Sequence, residues 1–232
     1  MRWPVGSIKP LAPNGAALEK LRRQIHLGVL ISGERLPPER QLADELGVAR
    51  ATLREALRAL EAEGWIVTRP GKSGGAFVVG LAALQELALL RLRRDLALVY
   101  RASEFLQVAL PASARYAAER RSSVHLRQLE MCITRLEAKL PADAEYKERT
   151  QFLVLAMNAS ANPWLAASAV DALASIYLPL FDDRNTELDA TANMSRRALL
   201  NAMRAREIVM AESAMRRLAD LELARLNQLT LP

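Results

Sequence analysis

The chain has 232 residues, 51% of them hydrophobic, with 32 basic against 26 acidic side chains and a formal charge of +6. That is enough length and apolar content for two modest packed domains, and too much for a disordered chain. A single cysteine, Cys132, excludes an intrachain disulfide, and two histidines, His26 and His125, are too few for a Cys/His zinc cluster or most histidine-based metal chemistry.

The basic surplus is uneven: residues 1–80 carry 12 basic and 8 acidic side chains, residues 81–232 carry 20 and 18. A polyanionic partner for the first segment fits that bias. No uncharged apolar run reaches the roughly 18 residues of a membrane helix. The opening residues Met1 to Ser7 lack the apolar stretch of a signal peptide, so a cytoplasmic chain without a membrane partner is expected.

In chain order, residues 1–13 hold three prolines and no period and read as a flexible arm. From Ala16 to Leu30, Leu18, Leu21, Ile25 and Val29 recur at helical spacing, and Ser32-Gly33 is expected to end that helix. Leu36-Pro37-Pro38 reads as extended, with Pro38 opening a short helix over Glu39 to Leu46 that Gly47 stops. A second helix is expected from about Ala49 to Glu63, seamed by Leu53, Leu57 and Leu60 and stopped by Gly64. Residues 65–68 and 76–79 are β-prone around the turn-forming stretch 69–75, which makes a small hairpin. After Gly80 almost no strand character remains. Breaks at Pro111, Ser122-Ser123, Pro141, Asn162-Pro163, Pro179 and Asp182-Asp183 delimit about six helices. The fold expected is mainly α: a winged helix-turn-helix over 14–80 and an antiparallel helical bundle over 81–232.

Helix, glycine turn, helix and hairpin is the order in which a second helix enters the major groove, its N-terminal residues at the base edges. Here that end reads Ala49-Arg50-Ala51-Thr52-Leu53-Arg54. Arg50 and Arg54 share one flank of the helix, off the leucine seam, and a guanidinium suits bidentate contact with guanine or phosphate. Thr52 can donate to a phosphate, Arg40 sits at the start of the preceding helix, and Gly71-Lys72 forms the tip of the hairpin. The plainer alternative is a solvated helix on which Arg54 pairs with Glu55 and Arg58 with Glu61. A phosphate-binding loop at Gly71-Lys72-Ser73 fails, because the position five residues before Gly71 is Ile66 and the segment joins two strands.

These residues resemble the DNA-binding domain of the GntR family over about 18–79. The match runs through Gly33 to Ala43, Leu46-Gly47-Val48, Arg50, Thr52 to Leu57, Leu60, Glu63-Gly64-Trp65 and Gly75 to Val79. The resemblance puts the DNA-contacting positions on Arg40, Arg50, Thr52, Arg54, Gly71 and Lys72. One departure is Ala49, where the family often has Ser or Thr; losing that helix cap costs roughly 0.5–2 kcal/mol.

The second half resembles, more loosely, the FCD effector domain of the FadR-like branch, through Phe152, residues 161–165, residues 202–207, Ala211 and Met215-Arg216. Many such domains hold a divalent metal on one Asp and three His. The resemblance places those ligands on Arg149, Leu153, Arg196 and Leu218, none of which can ligate a metal. The expectation is therefore an effector domain without metal or cofactor. Arg149 and Arg196 replace the cation and hold a small, anionic effector beside Leu153 and Leu218, and Arg101 joins them. The alternative is that these arginines face outward or pair with Glu104, Glu148 or Asp189.

Met194, Met203, Met210 and Met215 are expected as core filler, Cys132 as buried and inert, and both histidines as caps or surface residues. The function this implies is a transcription regulator that binds operator double-stranded DNA as a homodimer and answers to a small-molecule effector. A DNA-binding protein with a degenerate pocket is the second reading. An enzyme is disfavoured, since no nucleophile–base pair and no metal set stands out.

Overall fold

The computed structural model describes residues 13–71, 74–138, 140–176 and 186–230. The arm over 1–12, Lys72 and the breakers Pro179, Asp182 and Asp183 lie outside them; Pro13 already opens the first helix.

Helices α1 (Pro13–His26), α2 (Glu39–Leu46) and α3 (Arg50–Ala62) lead into an antiparallel hairpin of β1 (Ile66–Arg69) and β2 (Gly75–Val78). Ala17, Leu21 and Ile25 line the buried face of α1, and Leu42, Ala43, Leu53, Ala56 and Leu60 close on them from α2 and α3. The first helix ends earlier than its apolar spacing suggested. Gly28 takes a left-handed turn (φ 65°), and Val29 is consequently exposed. Between α2 and α3, Gly47 (φ 69°) donates its N–H to the carbonyls of Ala43 and Asp44. That left-handed cap folds the chain back within one residue. The hairpin gains an edge that the sequence did not suggest: Arg35 bridges Phe77, with Leu36 N donating to Ala76 O (2.9 Å) and Val78 N to Glu34 O (2.9 Å).

Seven helices follow among the described residues, against about six expected: α4 (Leu81–Arg94), α5 (Leu96–Arg120), α6 (Ser123–Glu137), α7 (Ala142–Ala159), α8 (Pro163–Ser175), α9 (Thr186–Ala205) and α10 (Ile208–Thr230). Pro111 does not separate two of them but lies buried inside α5. Proline removes one helical hydrogen bond and crowds the carbonyl four residues earlier. The cost is outweighed because Leu106, Ala109, Leu110, Ala114 and Ala117 on either side are buried in the bundle core. Ser122 and His125 close α6 with a reciprocal capping box, as expected of a histidine near a helix start.

Leu84 and Ala88 of α4 share the core of the winged segment, so this helix packs on the hairpin side as well as leading into the bundle. His26 corrects the expectation of a surface or capping residue: it is 2% exposed, wedged between the two halves. Its ring meets Trp65 edge-on at 5.0 Å, and Nδ1 donates to Ala174 O at the end of α8 (3.1 Å). That leaves Nε2 to accept from Arg91 Nη1 (2.9 Å). Tyr146 of α7 donates to His26 O (2.6 Å), Ser32 donates to Asp143 (2.6 Å), and Arg23 pairs with Asp171 (2.6 Å).

Of the four methionines read as core, Met203 and Met215 are buried, whereas Met194 and Met210 lie on the outer faces of α9 and α10. Cys132 is buried as expected, and burial beside Glu148 pushes its thiol up to about 12.

Candidate nucleic-acid interface and effector site

The first turn of α3 stands clear of the core. Ala49, Arg50, Ala51 and Arg54 are exposed, Thr52 is half-buried, and Leu53 behind them is fully buried. Ala49 caps α3 with backbone only; no side-chain hydrogen bond meets the free N–H groups of that turn. Arg40 is exposed in the first turn of α2. Arg54 pairs with neither Glu55 nor solvent alone: its Nε donates to Glu39 of α2 (2.8 Å), which ties the two helices on their outer side. Both partners are roughly half exposed, so this tie is worth on the order of 0–1 kcal/mol.

At the wing, Gly71 is exposed at the turn, while Gly74 has no room for a side chain: a Cβ there would lie 2.2 Å from Arg69 O. Arg69 and Arg35 lie over the Phe77 ring, at 4.6 and 6.0 Å from its centroid, and keep two guanidiniums on the hairpin. Arg40, Arg50, Arg54 and Gly71 are thus each open to solvent on the helix-turn-helix and wing. Arg35 and Arg69 were not singled out from the sequence, because their approach to Phe77 depends on the pairing of the hairpin and of the segment before α2.

In the bundle, α7, α9 and α10 bring Arg149, Leu153, Arg196 and Leu218 together. Leu153 and Leu218 are buried, and Arg196 is 3% exposed. Arg101 stands apart from this buried set, exposed on α5. The arginines are paired, but not with the partners considered from sequence. Arg149 Nη2 and Arg196 Nη2 (3.2 Å) each donate to one oxygen of Glu222. Arg225 binds Asp189, with its Nε 3.9 Å from Glu222, and Glu148 instead pairs with Arg135 (2.9 Å).

Burial alone would raise the Glu222 carboxyl; the three guanidiniums outweigh it and hold the group below its usual range. Burial also bears most on both arginines. At Arg149 the close Glu222 contact overcomes it and the pKa rises, whereas at Arg196, with the longer contact, burial wins and lowers it to about 10. Both stay charged at neutral pH. A metal does not fit here: the two leucines offer no lone pair and the two guanidiniums offer only protons. Asp189 was weighed from sequence as a partner for Arg149 or Arg196 and instead binds Arg225; Glu222 and Arg225 were missed, although Leu218, Glu222 and Arg225 share a face of one helix at i, i+4 and i+7.

Residues 14–78 match the family described as "Bacterial regulatory proteins, gntR family", and residues 106–221, half the chain, match the FCD domain. The chain therefore belongs to the GntR family of bacterial regulatory proteins, with an FCD domain as its helical half. That is a family of DNA-binding regulators rather than of enzymes. The HTH-type transcriptional regulator RmpR of Mycobacterium gastri is 53% identical over 64 residues, 28% of this chain and 23% of that protein. The fatty acid metabolism regulator protein of Haemophilus influenzae (strain 86-028NP) is 43% identical over 65 residues, 28% of this chain and 27% of that protein. The chain thus spans about a quarter of the length of these curated relatives. Among solved structures, E. coli McbR/YncC shares the fold, with a TM-score of 0.53 and 21% identity over 94% of this chain and 98% of that one. No described helix is long and apolar enough to cross a membrane.

Proposed function

We propose that this protein is a transcription regulator that reads operator DNA with residues 14–80, as a homodimer, and is tuned by a small effector held in residues 81–232 without a metal. The observation that carries the DNA reading is the exposed, backbone-capped N-terminus of α3, with Arg50 and Arg54 on one flank. Arg50, Arg54 and Thr52 are assigned to the major groove and its phosphates, Arg40 to the adjoining backbone, and Gly71-Lys72 to the minor groove or its phosphates. Arg54 reaches DNA by exchanging Glu39 for a phosphate or base, an exchange its half-exposed position allows.

A second copy as partner is supported by α5. This helix packs on α7, α8, α9 and α10, yet Leu98, Phe105 and Val108 line its outer side at coiled-coil spacing, with Val108 72% exposed. A twofold dimer would present two α3 helices to half-sites about one helical turn apart, roughly 34–36 Å.

Selection of duplexes from a random pool tests the reading. The expected product is a near-palindrome with two half-sites. Arg50→Ala should cost about 1–3 kcal/mol and relax preference at one base pair. Lys72→Ala should weaken all sequences alike and reduce the salt slope by about one. No enrichment of any duplex, even at low salt, would overturn the proposal.

A further inference from the structure

We propose that the cluster of Arg149, Arg196 and Arg225 is a seat for a small organic carboxylate; as the place of the effector, it rests on the regulatory reading above. Three helices deliver one arginine each, and among the described residues the carboxylates in contact with them are two, Glu222 and Asp189. The direct contacts therefore leave one positive charge over (3 − 2 = +1). The other Arg196 donor, Nη1, is taken by Asn193 (2.7 Å). The Nε atoms of all three arginines are buried without a hydrogen-bond partner among the described residues.

Buried N–H donors without partners are costly, and three of them beside a surplus charge call for an anion rather than for apolar packing. One carboxylate supplies the missing charge and up to four acceptor positions. Glu145, one turn before Arg149, contributes only a longer-range attraction. Leu153, Leu218 and Phe152, whose ring lies 5.9 Å from the Arg196 guanidinium carbon, give the cluster an apolar wall. A monocarboxylate with a short hydrocarbon tail fits that combination better than a phosphate, which would bring two charges to a surplus of one. Asp189 and Glu222, whose side chains are 28% and 23% exposed, are where the cluster meets solvent.

Glu222 is also the built-in competitor. It already engages the two guanidiniums that an incoming carboxylate would use, so its removal frees donors instead of destroying the seat. This gives two variants with opposite expected signs. Arg225→Met, of similar length without charge, removes the surplus and should weaken carboxylate binding by about tenfold or more, the value of a charge-assisted hydrogen bond. Glu222→Gln should tighten it by a similar factor. A variant that binds more tightly cannot be explained by misfolding.

The test titrates the full-length protein at neutral pH with straight-chain carboxylates from acetate to hexanoate. Thermal stability and calorimetry are followed, with the matching alcohols and equal concentrations of chloride as references. Saturable stabilisation by carboxylates alone, lost in Arg225→Met and enhanced in Glu222→Gln, is the expected result. A response no larger than that to chloride, or one unchanged in both variants, overturns the seat. Operator affinity measured on the same samples separates the two readings. Carboxylate binding that leaves DNA affinity unmoved keeps the seat and counts against its role as effector site. Intact DNA binding with no carboxylate response does the reverse.

Discussion

Two residues show how local chemistry sets local consequences. Ala49 opens α3 with an extended backbone (ψ 147°) and no side-chain acceptor, so the first-turn N–H groups lack an internal partner. Ala49→Ser should raise stability by about 1 kcal/mol, read as an increase in the urea midpoint with an unchanged slope. An unchanged midpoint would mean that water already serves those groups as well.

His26 is the second. Burial, then the Arg91 charge, lower its pKa from 6.5 to about 2, against a small opposing effect of the Ala174 carbonyl; Arg22 adds to the repulsion. The folded chain therefore keeps a neutral imidazole where the unfolded chain takes up a proton. Stability is complete above pH 6.5 and declines as pH falls from there toward 2, by up to about 1.4 kcal/mol per pH unit. Between about pH 6.5 and 5, above the usual carboxylate range, this slope should be visible in urea titrations and flattened in His26→Asn, which keeps a donor without the titration. Equal slopes in the two proteins would contradict the assignment.

At the scale of elements, α7 joins two tasks. Its first turns hold the winged half, through Asp143 to Ser32 and Tyr146 to His26 O, and Arg149 lies only three residues further on. Tyr146→Phe removes one buried hydrogen bond and should cost about 0.5–1.5 kcal/mol. It should also loosen the winged half, seen as faster amide exchange in α1 and α2 while α9 and α10 keep their protection. Uniform exchange across the molecule would show that the docking contact is not a separate unit.

The elements themselves were largely legible. The short helix before Gly47, the leucine seam of α3 and the hairpin follow from periodicity and turn residues, which are local properties. Pro111 misled because the price of a missing hydrogen bond is settled by tertiary packing, which a local reading does not see. The end of α1 misled for the reverse reason, since Gly28 is a stronger stop than the apolar Val29 after it suggested. The pairing of Arg149 and Arg196 was half legible: their types excluded a metal, but the partner Glu222 stands 73 residues from Arg149 along the chain. A contact at that separation is fixed only when α7 and α10 come together.

At the scale of the whole molecule, the open question is what covers α5. Leu98, Phe105 and Val108 are too aligned to be scattered surface apolar residues, and a second copy is the occupant proposed above. Val108 contributes little to the isolated fold, so Val108→Glu should leave the thermal transition of the monomer intact while shifting sedimentation from dimer to monomer. Operator affinity should fall with it, because one α3 helix then reads a half-site alone. A variant that still sediments as a dimer would move the interface elsewhere.

Cys132 has a consequence of a different kind. The sole sulfhydryl of the chain sits in the bundle core, protonated at any physiological pH. Reactivity toward peroxides and alkylating agents needs a thiolate, so oxidants have no purchase at this sulfur. Two such chains cannot be stapled through it without first unfolding. A regulator of the kind proposed would therefore take its signal by some route other than cysteine redox chemistry.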